Sequence, residues 1–544
     1  MAVAALALAP ASNGMARSSV PDTGVVNVSR TSDLAEAEVE LAVDANDPRH
    51  VLAASNAWGP DLPPPADSNA GVSGMMISVA YNSVDGGRTW TAQRPDHGGV
   101  GRVADPLAFV PGSPAQFQDV GNVDTTDPDV QYDRHGNAYF ESGAAHNPSH
   151  NFDEVASVWR SIDGGRTWGS PSTAVSVIKE EHEELDRPWL AVDNSGGPRD
   201  GTLYMVFSTT PFYPEPPQVF VKTSVDHGQT WAPTVRADDG LYVTQFNPRE
   251  RPVVDAGGTL YIVYDRSPVA NMPFTPQVFP IHLAVARSTD GGRTFQQLEA
   301  DSDIHRVTSP DESFGSAYSE MISAIAADPL TPGRIAVAWP EKIDDFNSRI
   351  MLRYSTDAGA HWSPRVDVAD DPATVPDQHD HVALRWLPGG QLAVAWRDRR
   401  SDGGTWDGKF QQWVRLLVPD ARGQMFLSGR AVQFTNGPQL AESPSGTARG
   451  YHGSTMPDEF QGLTGTADAV MLDWVQPAGR FNDMMFRSIP LTAFAAPVPG
   501  RGGTAGANGM PDTSAERPGL PGYVLLAALL LLGGLAAARG RARV

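Results

Sequence analysis

The chain has 544 residues, and its 41 Lys and Arg against 64 Asp and Glu give a formal net charge of -23 at pH 7. So acidic a protein repels the phosphate backbone, which excludes a nucleic-acid partner. The absence of cysteine excludes disulfides, thiolate metal sites and a cysteine nucleophile. Gly and Pro number 53 and 46, and 40% of residues are hydrophobic, which indicates a folded protein rich in turns.

The N-terminal residues are small and apolar. Residues 1–16 contain a run of alanine, leucine and valine with cleavage options around Ala7, Ala9 and Ala11, although no basic residue precedes the run. This pattern predicts the remnant of a signal peptide. The protein is therefore expected to be exported.

The C-terminal segments predict a surface anchor. Residues 491–522 are rich in Gly, Pro and Ala, which is typical of a flexible stalk. Residues 523–538 are apolar and uncharged, and the basic tail 539–544 would stay in the cytoplasm. As a helix the apolar stretch rises about 24 Å, short of a hydrocarbon core of about 30 Å. Residues 510–514, Met-Pro-Asp-Thr-Ser, resemble a sortase sorting signal but differ from it at both outer positions, which leaves cleavage open.

Five segments share one octad, with the pattern Ser-x-Asp-x-Gly-x-Thr-Trp. The octads begin at Ser83, Ser161, Ser224, Ser288 and Ser355, which are spaced 78, 63, 64 and 67 residues apart. Such a period suits one four-stranded blade per repeat. An aspartate in a tight turn accepts hydrogen bonds from loop N–H groups, so we predict a structural role for Asp85, Asp163, Asp226, Asp290 and Asp357. The alternative, a catalytic acid at Asp85 or Asp163, is the less common use of this chemistry.

The octads resemble the Asp box, or BNR repeat, of the sialidase superfamily. The resemblance implies an all-β fold over residues 24–490, a β-propeller of four-stranded blades. In the family these boxes lie on the face away from the active site. The catalytic domain of the family has six blades.

Strand patterns favour seven blades, with six as the alternative. Seven innermost strands are predicted at 39–44, 129–133, 187–193, 252–255, 321–327, 381–387 and 459–464, and each is followed by a second strand. The sixth repeat has an eroded octad at 418–423, and the seventh ends after its third strand, 483–489. Residues Val25–Ser29 are available to complete that last blade.

Charged residues gather where the inner strands begin and the second strands end. Under the resemblance, three arginines grip the carboxylate of a substrate, a tyrosine assisted by a glutamate is the nucleophile, and an aspartate is the acid. The substrate-binding candidates are Arg187, Arg251, Arg266 and Arg397, with Trp58 as a stacking surface, whereas Arg385 is expected to sit too far along its strand. The catalytic candidates are Asp61, Tyr318, Glu320 and Tyr451.

Residues 38–42 lack the arginine of the Arg-Ile-Pro motif of the family. The same charges are also consistent with salt bridges between blades.

A metal site is considered and not predicted. Alternation along a strand would place His379 and His381 on one face, but no third histidine is near in sequence, and no Asp-x-Asp-x-Asp-Gly calcium loop occurs. No cofactor is predicted either.

Two functions are compatible with these features. The first is an exported, surface-anchored exo-glycosidase of sialidase type. The second is a non-catalytic propeller that binds glycans or proteins at the cell surface. In both cases we expect a monomer, with a glycan or glycoprotein as ligand and the membrane contacted through the C-terminal helix.

Overall fold

In a computed structural model of the chain, the polypeptide folds into seven antiparallel sheets that surround a central channel. The structure describes residues 22–30, 35–58, 77–93, 123–146, 153–177, 183–211, 218–240, 251–266, 281–305, 323–344, 347–371, 377–400, 409–440, 461–478 and 481–494. The innermost strand of each sheet packs beside that of the next, and the last contacts the first. The seven sheets confirm the predicted seven-bladed propeller, and each blade contains at least four strands.

Blades 1 to 3 each take four consecutive strands, ordered from the channel outward. Blade 1 contains β2 (Ala35–Val43), β3 (Val51–Trp58), β4 (Ile77–Ser83) and β5 (Thr91–Gln93). Blade 2 contains β6 (Val123–Tyr132), β7 (Ala138–His146), β8 (Asp153–Ser161) and β9 (Ser172–Val177). Blade 3 contains β10 (Glu183–Val192), β11 (Leu203–Pro211), β12 (Gln218–Ser224) and β13 (Val235–Arg236).

Blades 4 to 6 repeat this order. Blade 4 contains β14 (Arg251–Val254), β15 (Leu260–Arg266), β16 (Ile281–Ser288) and β17 (Gln296–Ile304). Blade 5 contains β18 (Ala324–Ala327), β19 (Ile335–Lys342), β20 (Ser348–Ser355) and β21 (Val366–Asp367). Blade 6 contains β22 (His379–Trp386), β23 (Leu392–Asp398), β24 (Lys409–Pro419) and β25 (Met425–Gln433), with β26 (Gln439–Leu440) also paired to β24.

Blade 7 is completed by the N-terminal part of the chain. It contains β27 (Leu463–Gly465), β28 (Ala469–Ala478) and β29 (Phe481–Pro490), and its outer strand is β1 (Val26–Asn27). Val26 pairs with Phe486 and Asn27 with Met485 in an antiparallel register. The predicted closing strand within Val25–Ser29 is thus confirmed. A 3-10 turn, Leu491–Ala493, follows β29.

The predicted anchor and signal segments lie outside the described residues. This holds for residues 1–16, for 523–538 and for the motif at 510–514. In the part of the chain that the structure describes, no helix is long and apolar enough to cross a membrane.

The core lies between the blades. The second strands read as continuous apolar runs, such as residues 203–206 and 335–339, and every side chain in these two runs is fully buried. A strand covered by a neighbouring sheet on both faces needs apolar residues at every position rather than at alternate ones. The apolar clusters accordingly contain residues of two adjacent blades, for example Leu52 and Ala54 of blade 1 with Val130 and Phe140 of blade 2.

The octads form the turns between the third and fourth strands of blades 1 to 5. In blade 2, Asp163 Oδ1 accepts the N–H groups of Arg166 and Thr167 at 3.0 and 2.9 Å, and Oδ2 accepts the Thr167 hydroxyl at 2.6 Å. In blade 5, His361 replaces the threonine, and its Nδ1 lies 2.6 Å from Asp357 Oδ2. These turns lie at the end of the propeller opposite the first residues of the inner strands. The aspartates are thus occupied in holding turns.

The second glycine of the octad packs against the preceding blade. Gly87 has a φ of 86°, and a Cβ at that position would overlap the ring of Phe486 in blade 7. The same phenylalanine meets Trp90 edge-on, with ring centroids 5.2 Å apart. The octad of blade 1 therefore joins the first blade to the last.

We expect Gly87→Ala to destabilise the protein by about 1–3 kcal/mol more than Gly86→Ala. Both substitutions force alanine into the left-handed region, at a similar cost of about 1 kcal/mol. The added methyl also overpacks the Phe486 contact at position 87, whereas at position 86 it meets no atom closer than 3.5 Å. Urea unfolding of the two variants provides the comparison, and equal losses would contradict this packing.

Candidate functional site

One position of the inner strand repeats around the channel. In every blade it is the residue paired with the fourth residue of the second strand, and all seven such residues line one cavity. They are Glu40, Asp129, Trp189, Arg251, Ala324, Ala383 and Leu463. Blades 1 to 4 thus contribute charged or aromatic groups, and blades 5 to 7 contribute apolar ones. The cavity has a charged half and an apolar half.

β-Bulges precede this position in four of the blades. They lie between Ala37 and Glu40, Thr126 and Asp129, Asp186 and Trp189, and Asp380 and Ala383. Glu38, Asp127 and His381, which lie in three of these bulges, have φ values of 54°, 51° and 52°. Such a conformation is costly for a residue other than glycine, and bulges re-aim the side chains beside them. Backbone strain of this kind concentrates at functional sites, so it supports a functional role for this end of the channel.

An ion pair crosses the channel from blade 4 to blade 1. Arg251 Nη1 donates to Glu40 Oε2 at 3.1 Å, and Nη2 donates to Oε1 at 2.5 Å. The guanidinium also lies over the ring of Trp189, 4.0 Å from its centroid. Burial raises the pKa of Glu40, and the charge of Arg251 opposes that rise. Arg251, a predicted substrate ligand, therefore lies in the cavity, and its guanidinium group is paired with the carboxylate of Glu40.

Asp129 is the second carboxyl group of the charged half. Its Oδ2 accepts the N–H of Leu190 at 2.8 Å, and its Oδ1 accepts the side-chain amide of Gln131 at 3.2 Å. Burial, together with the negative charge of Glu40, raises the pKa of Asp129 to about 7. Asp129 is thus partly protonated at neutral pH, as a proton donor requires.

Glu141 lies behind Asp129, on the neighbouring strand of blade 2. It is fully buried, and neither carboxyl oxygen has a hydrogen-bond partner among the described residues. Burial raises the pKa of Glu141 well above its usual range, and the charge of Asp129 adds to this effect. Burial thus favours the neutral form of Glu141.

Arg385 also faces the cavity, two residues beyond the repeated position in blade 6. Its side chain is exposed within the channel, where it interacts electrostatically with Asp129 and Glu40. The sequence placed Arg385 too far along its strand. That expectation was wrong, because the cavity extends at least two residues beyond the repeated position.

The other arginine candidates lie elsewhere. Arg397 is buried and donates to both oxygens of Asp380, at 2.7 and 2.8 Å. Arg266 contacts Asp239 at 2.8 Å and Glu299 at 3.4 Å and does not line the cavity. Neither guanidinium joins Arg251, because each is held by carboxylates of its own surroundings.

Several predicted site residues cannot be compared with this geometry. Arg187 and Trp58 belong to β10 and β3, but their side chains lie outside the described set. Asp61, Tyr318, Glu320 and Tyr451 also lie outside the described residues. Their roles stay predictions.

The two histidines considered as a metal pair contact different carboxylates. His379 Nε2 lies 3.0 Å from Asp371 Oδ1, whereas His381 Nδ1 lies 3.1 Å from Asp380 Oδ1. His381 lines the cavity and His379 does not. Simple strand alternation fails here because the bulge after Asp380 interrupts the pairing.

Sequence reasoning missed Glu40, Asp129, Trp189 and Glu141. A signal was available, because the first three stand at the same repeat position as Arg251 once the second strands are aligned. A polar or aromatic residue at that position in four successive blades marks the charged half of the channel.

Comparisons with known proteins give weak likenesses. Neither a protein-family model nor a curated protein matches the chain. Among solved structures, a protein of unknown function from Dyadobacter fermentans is 14% identical, with a TM-score of 0.40, over 70% of this chain and 94% of that one. The leech intramolecular trans-sialidase is 13% identical, with a TM-score of 0.40, over 66% of this chain and 64% of that one.

A third likeness is to the GH93 alpha-L-arabinofuranosidase of Fusarium graminearum, which is 13% identical with a TM-score of 0.39. The aligned region covers 76% of this chain and 98% of the arabinofuranosidase chain. The chain thus spans slightly less than two thirds of the leech enzyme and nearly all of the other two. At these identities and TM-scores the likenesses carry no argument about function.

The raised pKa of Asp129 predicts that stability falls as the pH rises. An unfolded aspartate has a pKa of about 3.9, whereas the folded value is about 7. The contribution is therefore complete below about pH 4 and is lost as the pH passes through the folded pKa. Asp129→Asn should remove roughly 2–4 kcal/mol of the decrease in unfolding free energy between pH 4 and 8.

Urea unfolding across this pH range measures the effect. Asp239→Asn is the control, because that carboxylate contacts Arg266 outside the cavity. A pH profile of Asp129→Asn that matches the parent would show that Asp129 is not the titrating group.

Proposed function

We propose that the protein is a glycoside hydrolase whose active site is the charged half of the channel cavity. The observation that carries the proposal is the convergence of Glu40 and Asp129 with Arg251 and Arg385 in one cavity. Hydrolysis of a glycosidic bond commonly uses two carboxyl groups, one protonated and one ionised. Burial raises the pKa of both groups, and at Glu40 the bidentate contact with Arg251 opposes this rise.

Asp129 is the proposed proton donor to the leaving oxygen. Its raised pKa keeps a proton available at neutral pH, while the N–H of Leu190 and the amide of Gln131 fix its orientation. A general acid is most effective when its pKa lies near the working pH.

Glu40 is the proposed ionised carboxylate. Both of its oxygens accept from Arg251, a bidentate arrangement that favours the charged form. A negative charge at this place would stabilise the positive charge that develops on the sugar ring in the transition state.

Arg385 supports an acidic glycan as the substrate class. Its guanidinium is exposed within the cavity, and a planar guanidinium fork suits a substrate carboxylate. We extend the proposal to an exo-sialidase type of activity, in which Arg385 replaces Arg266 and Arg397 among the expected carboxylate ligands. The proposal keeps Arg187 as a carboxylate ligand, Tyr318 and Tyr451 as nucleophile candidates with Glu320, and Trp58 as the stacking residue. Asp61 is the alternative to Asp129 as the acid.

Hydrolysis of a glycoside panel by the intact protein tests the activity. The panel contains a fluorogenic α-sialoside, glucuronides, galacturonides, and neutral arabinosides and galactosides. We expect turnover of an acidic member, and Asp129→Asn should reduce kcat about 10²–10⁴-fold. Asp239→Asn should leave kcat within about twofold of the parent, because its carboxylate lies outside the cavity.

Arginine variants separate substrate recognition from folding. Arg385→Ala should raise KM for the acidic substrate about 10–100-fold, which corresponds to the loss of a charged hydrogen-bond partner. Arg266→Ala should not change KM, since Arg266 contacts Asp239 and Glu299 elsewhere. Absence of turnover across the panel would reject the hydrolase, and glycan-array binding would then test the non-catalytic propeller.

We also propose that the protein is exported and held at the cell surface by residues 523–538. Support comes from the uncharged apolar stretch with a basic tail immediately after it. We expect the full chain in the envelope fraction of the expressing cell and a chain lacking residues 523–544 in the medium. Recovery of both chains in the same soluble fraction would contradict the anchor.

A further inference from the structure

A buried charge cluster lies where blades 5 and 6 meet, outside the channel cavity. It joins the residues after β21 in blade 5 to the beginning of β22 and the end of β23 in blade 6. Its members are Asp367, Asp370, Asp371, Asp377, His379, Asp398, Arg349 and Arg400. None of them lines the cavity of the proposed active site.

Three side-chain atoms in this cluster face one another. His379 Nε2 lies 3.0 Å from Asp371 Oδ1 and 3.6 Å from Asp377 Oδ2, and the three atoms all lie within 4.8 Å of one another. Ligand atoms of a tetrahedral metal at about 2.0–2.2 Å are separated by roughly 3.3–3.6 Å. The 3.6 Å separation lies within this range, and the 3.0 Å separation between His379 and Asp371 would have to widen by a few tenths of an ångström to admit an ion.

The remaining atoms of the two carboxylates are held by other groups. Asp371 Oδ2 accepts from Arg349 Nη1 at 2.7 Å, and Asp377 Oδ1 accepts the N–H of Arg399 at 2.8 Å. His379 is fixed through its backbone, whose N–H donates to Ser348 Oγ at 2.6 Å. Outer partners of this kind orient metal ligands. In each carboxylate, one oxygen thus accepts a hydrogen bond from another group, and the other oxygen faces the imidazole of His379.

Asp377 supplies an independent indication of a missing partner. Its side chain is 1% exposed, and Oδ2 has no hydrogen-bond partner among the described residues. The distance of 3.6 Å between Asp377 Oδ2 and His379 Nε2 is too long for a hydrogen bond. A buried carboxylate oxygen without a partner is costly, and a cation in the gap would supply that partner.

The charge balance points the same way. The five carboxyl groups of Asp367, Asp370, Asp371, Asp377 and Asp398 outnumber the cationic side chains that contact them, which are Arg349, Arg400 and the imidazole of His379. Buried carboxylates require compensation by positive charge. A divalent ion at the three converging atoms would offset the excess.

We propose that Asp371, Asp377 and His379 bind a divalent metal ion that joins blade 5 to blade 6. One imidazole nitrogen with two carboxylate oxygens suits Zn²⁺ or a similar transition-metal ion better than Ca²⁺, which takes six to eight oxygen ligands. The site uses one histidine of the pair considered in the sequence, with Asp371 from the residues after β21 and Asp377 from the residues just before β22. It is independent of the proposed hydrolase.

Metal titration of the intact protein tests the site. After dialysis against a chelator, the protein is titrated with the chlorides of Zn²⁺, Mn²⁺ and Ca²⁺ by calorimetry, with metal content and thermal unfolding measured in parallel. We expect one Zn²⁺ per chain and a higher Tm in the presence of Zn²⁺. Binding of no ion, or no change in Tm with any ion, would overturn the proposal.

Two variants distinguish this site from other zinc-binding groups at the surface. Asp377→Asn keeps the shape of the ligand and removes its charge, so Zn²⁺ affinity should fall at least about tenfold. Asp370→Asn is the matched control, because Asp370 contacts Arg400 and the N–H of Ala431 instead, and it should retain the Zn²⁺ site. Equal affinity of the parent and Asp377→Asn would place the ion elsewhere and reject the assignment.

Discussion

The ion pair between Glu40 and Arg251 is the interaction on which the arrangement of the channel depends. The two residues are 211 positions apart in the chain and belong to blades separated by two others. Glu40 is buried and Arg251 partly so, and removing one member of a buried ion pair costs about 3–5 kcal/mol. Trp189 packs under the guanidinium, and Asp129 and Arg385 respond to the same charges. The charged half of the cavity is thus one connected electrostatic unit.

The propeller places this unit, except for Arg385, at a single position of its repeat. Every blade presents the same inner-strand residue to the cavity, so the chain can vary the site without altering the sheets. Blades 1 to 4 place charged or aromatic groups there, while Ala324, Ala383 and Leu463 close the opposite side. The function we propose therefore rests on these residues, because a propeller scaffold by itself hosts many activities.

Local chemistry explains why the fold was predictable and most of the site was not. The octad turns and the apolar second strands depend on residues close to one another in sequence. The strand at Val26–Asn27 was predictable because the seventh blade would otherwise have only three strands. Arg251 and Arg397 look alike in sequence, yet one faces the cavity and the other is buried on Asp380. Arg251 lies on the inner strand β14, whereas Arg397 lies on the second strand β23 opposite Asp380, and no local pattern reports how these strands face the channel.

The most direct measurement is a double-mutant cycle on Glu40 and Arg251, using Glu40→Gln, Arg251→Gln and the double variant in urea unfolding. The pair across the channel predicts that each single variant loses about 3–5 kcal/mol and that the double variant recovers much of this loss. The coupling energy should then be at least about 1.5 kcal/mol. Additive losses, with a coupling energy within about 0.5 kcal/mol of zero, would show that the two residues do not meet across the channel and would contradict the account.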